Sequence, residues 1–182
     1  TLENLEIGVN VSPSFDPNAL LDNAFSYGTN TFTDMTNKYH RKVGVKCPGG
    51  CLVKAYNKRY QLNLDGECVR YELHFDRMRI PQKVAGIYTL SDLLDPIKYQ
   101  RLANYLIEQF DRLVFLNQIT DYRNFKPADK RLIEQWRNPF FVNERMRINP
   151  QMFRKNRKRY LELVNADKSN EMGDLKRLIR LK

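Results

Sequence analysis

Between Cys51 and Asp76 the chain reads CLVKAYNKRYQLNLDGECVRYELHFD, and here apolar and polar side chains alternate with a period of two. Only an extended strand with one buried face turns that pattern into two chemically distinct surfaces. In the first run, Cys51–Tyr60, Leu52, Lys54, Tyr56, Lys58 and Tyr60 point one way, and Cys51, Val53, Ala55, Asn57 and Arg59 the other. In the second, Glu67–Asp76, Val69, Tyr71, Leu73 and Phe75 form an apolar face, and Arg70, Glu72, His74 and Asp76 a polar one. Asn63-Leu64-Asp65-Gly66 between them has turn chemistry. Pairing these strands over a common core puts Lys54, Tyr56, Lys58, Arg70, Glu72 and His74 on the opposite surface. Two lysines, an arginine, a tyrosine, a carboxylate and an imidazole are more than solubility requires.

A third strand of the same kind opens the chain. In TLENLEIGVNVS, Leu5, Ile7, Val9 and Val11 face the core, and Glu6, Gly8 and Asn10 join the polar surface. Asp16-Pro17 then caps a short helix to about Ala24. Gly28–Thr36 reads as a loop or weak strand, and Tyr39–Lys46 as a strand that turns at Pro48-Gly49-Gly50. Thr89 and Asp92 have capping-box spacing. Asp95-Pro96 opens a helix to about Leu116, with Ile97, Leu102, Leu106, Phe110, Leu113 and Val114 at core spacing. Helices are also expected over Pro127–Arg137, from Asn149-Pro150 to about Val164, and after Ser169. The expected fold class is therefore α+β: a mainly antiparallel sheet with helices packed on one face, plus a basic helical C-terminal region.

Charge divides the chain. Residues 1–122 hold 14 Lys/Arg and 14 Asp/Glu, whereas residues 123–182 hold 17 and 7, so the whole net charge of +10 lies in the last third. This predicts a neutral body over 1–122 and a polyanion-binding region over 123–182, in which Arg154, Lys155, Arg157, Lys158 and Arg159 crowd one helix. No apolar run has the length of a membrane span. Three cysteines imply no disulfide framework, and Cys47-Pro-Gly-Gly-Cys51, with Cys68 or His40, is first a turn and only weakly a zinc pattern. A reducing, intracellular setting follows. The chain opens on Thr1 rather than Met, so an upstream segment can precede it.

On the shared polar face, carboxylates with a carboxamide and an imidazole suit a hard ion, Mg²⁺ or Mn²⁺. The expected ligands are Glu6, Asn10, Glu72 and His74. Such an ion stabilises phosphoryl displacement. Tyr56 is a candidate nucleophile toward phosphorus, but a phenol titrates near about 10 and needs a neighbouring cation or base. Lys54 and Lys58 flank it on the same face.

LEIGVNV, then LVKAYNK, then VRYELHF followed by Gly-Ile-x-Thr-Leu-x-Asp-Leu from Gly86, resemble in order and spacing the replication initiators of filamentous phages, the gene II protein family, and the wider group of phage and plasmid rolling-circle initiators. The likeness covers roughly residues 3–95; the last third matches only in being basic and helical. It implies a DNA-nicking and joining enzyme dependent on Mg²⁺ or Mn²⁺. Tyr56 would attack one strand at a replication origin, leaving a 5′-phosphotyrosine and a free 3′-OH. Lys58 would assist it or hold the phosphate, Glu72 would be a metal ligand with Glu6 as a second candidate, and Arg70 would support Glu72 or contact phosphate. The strand face by itself offers Lys54 for the same phosphate. The implied partners are single-stranded or hairpin DNA and a host polymerase or helicase, in the cytoplasm of a bacterial host. Asn10 and Gln61 stand where related initiators carry acids, which leaves a weakened site open, as is a second transfer through Tyr60 or Tyr122. Two rivals remain at this point: a non-catalytic DNA-binding protein that acts through its basic helices, and an RNA-binding or interaction module that stacks bases on the sheet.

Overall fold

The computed structural model describes residues 2–37, 42–119, 121–167 and 170–180, with the backbone alone of Tyr60. The start of the expected Tyr39–Lys46 strand, His40 and the Ser169 cap lie outside the described residues.

The alternating stretches form one antiparallel sheet. It contains β1 (Leu5–Val11), β4 (Thr33–Asp34), β5 (Lys42–Cys47), β6 (Cys51–Asn57) and β7 (Val69–Phe75), in the order β1-β7-β6-β5-β4. Ile7 stands opposite Leu73, and Leu73 opposite Val53, so the apolar positions align across the central strands. That apolar face is covered by α4 (Pro96–Asp111): Phe110 meets Tyr71 edge-to-face at 4.8 Å between ring centroids, and Tyr105 lies 6.3 Å from Phe75. Leu73 and Phe75 are wholly buried, each contributing roughly 1.5–3 kcal/mol of burial free energy. The fold is α+β as expected.

Three stretches differ from expectation. The helix from Pro96 stops at Asp111, and Leu113 and Val114 belong to strand β8 (Leu113–Phe115). That strand pairs with β2 (Ala24–Tyr27), which pairs with β3 (Asn30–Thr31), to give a second, three-stranded sheet. Helical spacing and a short β-rich run are indistinguishable over so few apolar residues, and pairing with β2 decides between them. The link from β6 to β7 is no tight turn either. It includes a helical turn, α2 (Arg59–Leu62), and a left-handed Asn63 at φ 51°.

The helix caps follow the sequence. Asp16 accepts from Asn18 N–H before α1 (Pro17–Asp22), and Asp95 from Ile97 N–H before α4. Asn149 accepts from Met152 N–H before α7 (Pro150–Ala166), and proline stands in the first turn of all three. Two further helices, α3 (Arg79–Ala85) and α6 (Pro139–Ile148), carried no clear periodic signal. The charge boundary at residue 122 does not coincide with a gap in packing. Trp136 of α5 (Pro127–Trp136) stacks on Tyr160 of α7, whose hydroxyl donates to Phe115 O of β8. The last helix, α8 (Glu171–Arg180), contacts β1 and α4.

Candidate active site

The polar face of the large sheet is built in three cross-strand rows. Glu6, His74, Leu52 and Lys46 form one; Gly8, Glu72, Lys54 and Gly44 the next; Asn10, Arg70, Tyr56 and Lys42 the third. Each row runs from β1 through β7 and β6 to β5. Alternation had placed Glu6, Asn10, Lys54, Tyr56, Arg70, Glu72 and His74 on this surface, and the register makes them neighbours.

Glu72 is the hub. Its side chain is only 2% exposed, yet both oxygens are engaged. Lys54 Nζ donates to Oε1 at 2.9 Å; Arg70 Nε at 2.6 Å and the Tyr56 hydroxyl at 3.0 Å donate to Oε2. Burial opposes ionisation of Glu72, but the bonds from Arg70 and Lys54 outweigh it and hold the carboxyl below its ordinary range. Lys54 also donates to Glu6 Oε2 at 2.7 Å, so one ammonium bridges two carboxylates. Arg70 reaches Asn10 Oδ1 at 3.2 Å. His74 Nδ1 lies 3.3 Å from Glu6 Oε2, and its Nε2 lies 3.2 Å from Asp76.

Tyr56 is 8% exposed, with its hydroxyl on the polar side. Burial and the adjacent Glu72 charge both push the phenol well above its ordinary value. In the resting protein it is therefore a neutral hydrogen-bond donor. Lys42 Nζ stands 5.0 Å from the ring centroid.

The two glycines of the central row make this crowding sterically feasible. A β-carbon on Gly8 would lie 2.8 Å from Glu72 Cβ and 3.0 Å from Arg70 Cζ; one on Gly44 would strike the Met35 thioether. Glycine inside a strand signals close approach, and Gly8 and Gly44 were the available clue to where the polar face is densest. The strand of Lys42 is legible in the sequence only as a run, and its pairing with β6 is what sets Lys42 opposite Tyr56.

The donor set fits an ammonium better than a divalent ion. The point between Glu6 and Glu72 that an ion would bridge is taken by Lys54 Nζ. Arg70 and Tyr56 occupy the second oxygen of Glu72, and Asn10 is engaged by Arg70. Among the described residues no three His, Cys, Asp or Glu side chains converge as a metal group. Cys47 and Cys51 face each other across the β5–β6 hairpin as free, buried thiols.

The remaining expected residues separate. Lys58 follows the last residue of β6; its N–H donates to Cys68 O at 2.6 Å, and its charge acts on the Cys68 thiol. In the basic region, Arg159 is committed to ion pairs. It grips Asp129 of α5 through two bonds of 2.9 and 2.8 Å and also meets Glu162. Arg154, Lys155 and Lys158 are exposed on α7, and Arg157 is half-buried. Tyr71 and Phe75, the aromatics that a base-stacking module would need, are wholly buried on the α4 side.

Comparison with family models, with curated proteins and with solved structures finds no match to this chain. No helix among the described residues is long and apolar enough to cross a membrane.

Proposed function

We propose that this protein nicks and rejoins single-stranded DNA through Tyr56, as a rolling-circle replication initiator does. The observation that carries the proposal is the 3.0 Å hydrogen bond from the Tyr56 hydroxyl to a carboxylate that is itself held by Lys54 and Arg70. Nucleophile, base and orienting cations in contact are the arrangement that covalent catalysis requires. The Tyr56 oxygen attacks a backbone phosphorus while its proton passes to Glu72 Oε2. The P–O3′ bond breaks, and the departing 3′ oxygen takes up a proton from water. Attack by a 3′-OH on the phosphotyrosine reverses the sequence and joins strands.

Lys54 and Arg70 have two roles in this scheme. At rest they suppress the basicity of Glu72. A scissile phosphate that draws these donors toward its own oxygens releases Glu72 to act as a base at the moment of attack. No step here is routed through a metal ion, because Lys54 already supplies a cation between the carboxylates.

The test is a mass spectrum of the chain after incubation with single-stranded origin-like DNA. A nucleotide-linked peptide containing Tyr56 is expected, and it should vanish in Tyr56→Phe. An adduct that survives in Tyr56→Phe defeats the proposal.

A second reading draws support from the resting phenol, which is raised rather than activated. In it the face is a rigid ion-pair lattice, and the protein binds DNA through its basic helices without chemistry. Tight binding to single-stranded DNA with no adduct and no nicks, in Mn²⁺ or without it, would favour this reading.

A further inference from the structure

Arg157 is a half-buried guanidinium with no hydrogen-bond or ionic partner among the described residues. It faces the turn between β2 and β3, where its Nη1 would stand 3.8 Å from a β-carbon on Gly28. Gly28 has φ +61°, so the turn holds its backbone close to the arginine without a side chain between them. Nearby, Arg112 donates to the Tyr27 hydroxyl at 3.2 Å, and that hydroxyl donates to Gln109. Burial disfavours the charge on Arg157, against a smaller opposing effect of Tyr27, and the field of Arg112 adds to the effect of burial. Two guanidiniums thus act on one phenol. Glu162 lines the same cleft, but it is turned to Arg159. A desolvated, unpaired cation costs free energy unless an anion completes it.

The space for that anion is present. A cleft of about 680 Å³ lies between the Gly28–Asn30 turn and α7, with Arg154, Arg157 and Lys158 on its wall. A second groove of about 550 Å³ shares Thr29 and Asn30 with it and continues along Thr33, Gly44, Lys46 and Leu52. Gly44 belongs to the row that holds Lys54, and Lys46 and Leu52 belong to the row of Glu6 and His74. The two depressions therefore connect the candidate active face to the basic helix around one turn. Volumes of this size accommodate nucleotide-sized ligands.

We infer that the cleft between the Gly28–Asn30 turn and α7 is a phosphate-binding site for single-stranded DNA, with Arg157 as its central ligand and Arg154 and Lys158 at its rim. The bound strand runs from the Tyr56 face through the threonine-lined groove into the cleft. This path rests on the proposed nicking function, but the phosphate site itself does not. Arg157 differs here from Arg159, two residues on, whose charge is already spent on Asp129 and Glu162.

The experiment is equilibrium binding of a fluorescent oligothymidylate of about 20 nucleotides to the full chain, from about 50 to about 200 mM salt. Arg157→Gln is expected to weaken binding about tenfold, the worth of one charge-assisted bond, and to flatten the salt slope by about 0.7 per lost phosphate contact. Arg157→Lys should fall between the two, since it keeps the charge and loses the fork. Arg154→Gln with Lys158→Gln, both on exposed positions that leave folding intact, should weaken binding similarly. Lys155→Gln, outside the cleft wall, should change affinity by less than about twofold. Equal losses from Lys155→Gln and the cleft variants, or no binding by the wild-type chain, would overturn the inference. An absent Tyr56 adduct alongside a strong Arg157→Gln effect would sink the nicking proposal and leave the cleft. An adduct with unchanged binding in the cleft variants would sink the cleft alone.

Discussion

Gly8 stands directly opposite Glu72 across β1 and β7, so near that a β-carbon on the glycine would lie 2.8 Å from Glu72 Cβ. The missing side chain lets the Arg70 and Glu72 side chains lie over the first strand, and Arg70 thereby reaches Asn10.

Gly8→Ala should consequently destabilise the fold by about 1–3 kcal/mol, the usual cost of overpacking, although alanine is a better strand residue than glycine. Urea denaturation measures it. Gly66→Ala, where an added methyl meets nothing within 4 Å, is the matched control and should be close to neutral. Equal effects at the two positions would contradict the steric account.

Glu72→Gln leaves Lys54 and Arg70 facing each other across a side chain that no longer neutralises them. A loss of about 3 kcal/mol is expected, typical of breaking a buried pair from one side. Adding Lys54→Met to Glu72→Gln should recover part of it, because it removes a part-buried cation that has lost one of its two carboxylates. A double variant less stable than the single one would show that Lys54 is anchored mainly by Glu6.

The pH dependence follows from the same hub. Glu72 is depressed in the folded state, so its contribution is present above the unfolded carboxyl value of about 4.3 and is lost as pH falls through the folded value. Tyr56 is raised, so its contribution is whole below the unfolded phenol value of about 10 and declines as pH climbs toward the folded value. Chemical denaturation across pH should show both flanks, with Glu72→Gln flattening the acid one and Tyr56→Phe the alkaline one. An acid flank unchanged in Glu72→Gln would remove Glu72 from this role.

Adduct formation at Tyr56 should continue in EDTA, since Lys54 occupies the position between Glu6 and Glu72. Single-turnover capture on labelled single-stranded DNA reports it. Abolition by chelator and rescue by Mn²⁺ would show that an ion displaces the lysine.

Arg159→Gln should lower thermal stability more than DNA affinity, because it unties α7 from Asp129 on α5. The opposite ranking would place its charge on the ligand instead.

How much of this was legible beforehand differs by residue. Period-two alternation alone put Glu6, Lys54, Tyr56, Arg70 and Glu72 on one face, since a strand leaves a side chain only two directions to take. The caps at Asp16, Asp95 and Asn149 were equally plain, because each depends on residues within three positions. Register is another matter. That Lys54 would bridge Glu6 and Glu72, or that Gly8 and Gly44 would flank that pair, depends on how strands distant in sequence slide past one another. The basic helix makes the same point: Arg157 and Arg159 look alike in the chain, but Asp129, thirty residues earlier, neutralises only one of them. Local composition fixed which groups each element could offer; long-range packing alone decided which charges met a partner and which were left to find one.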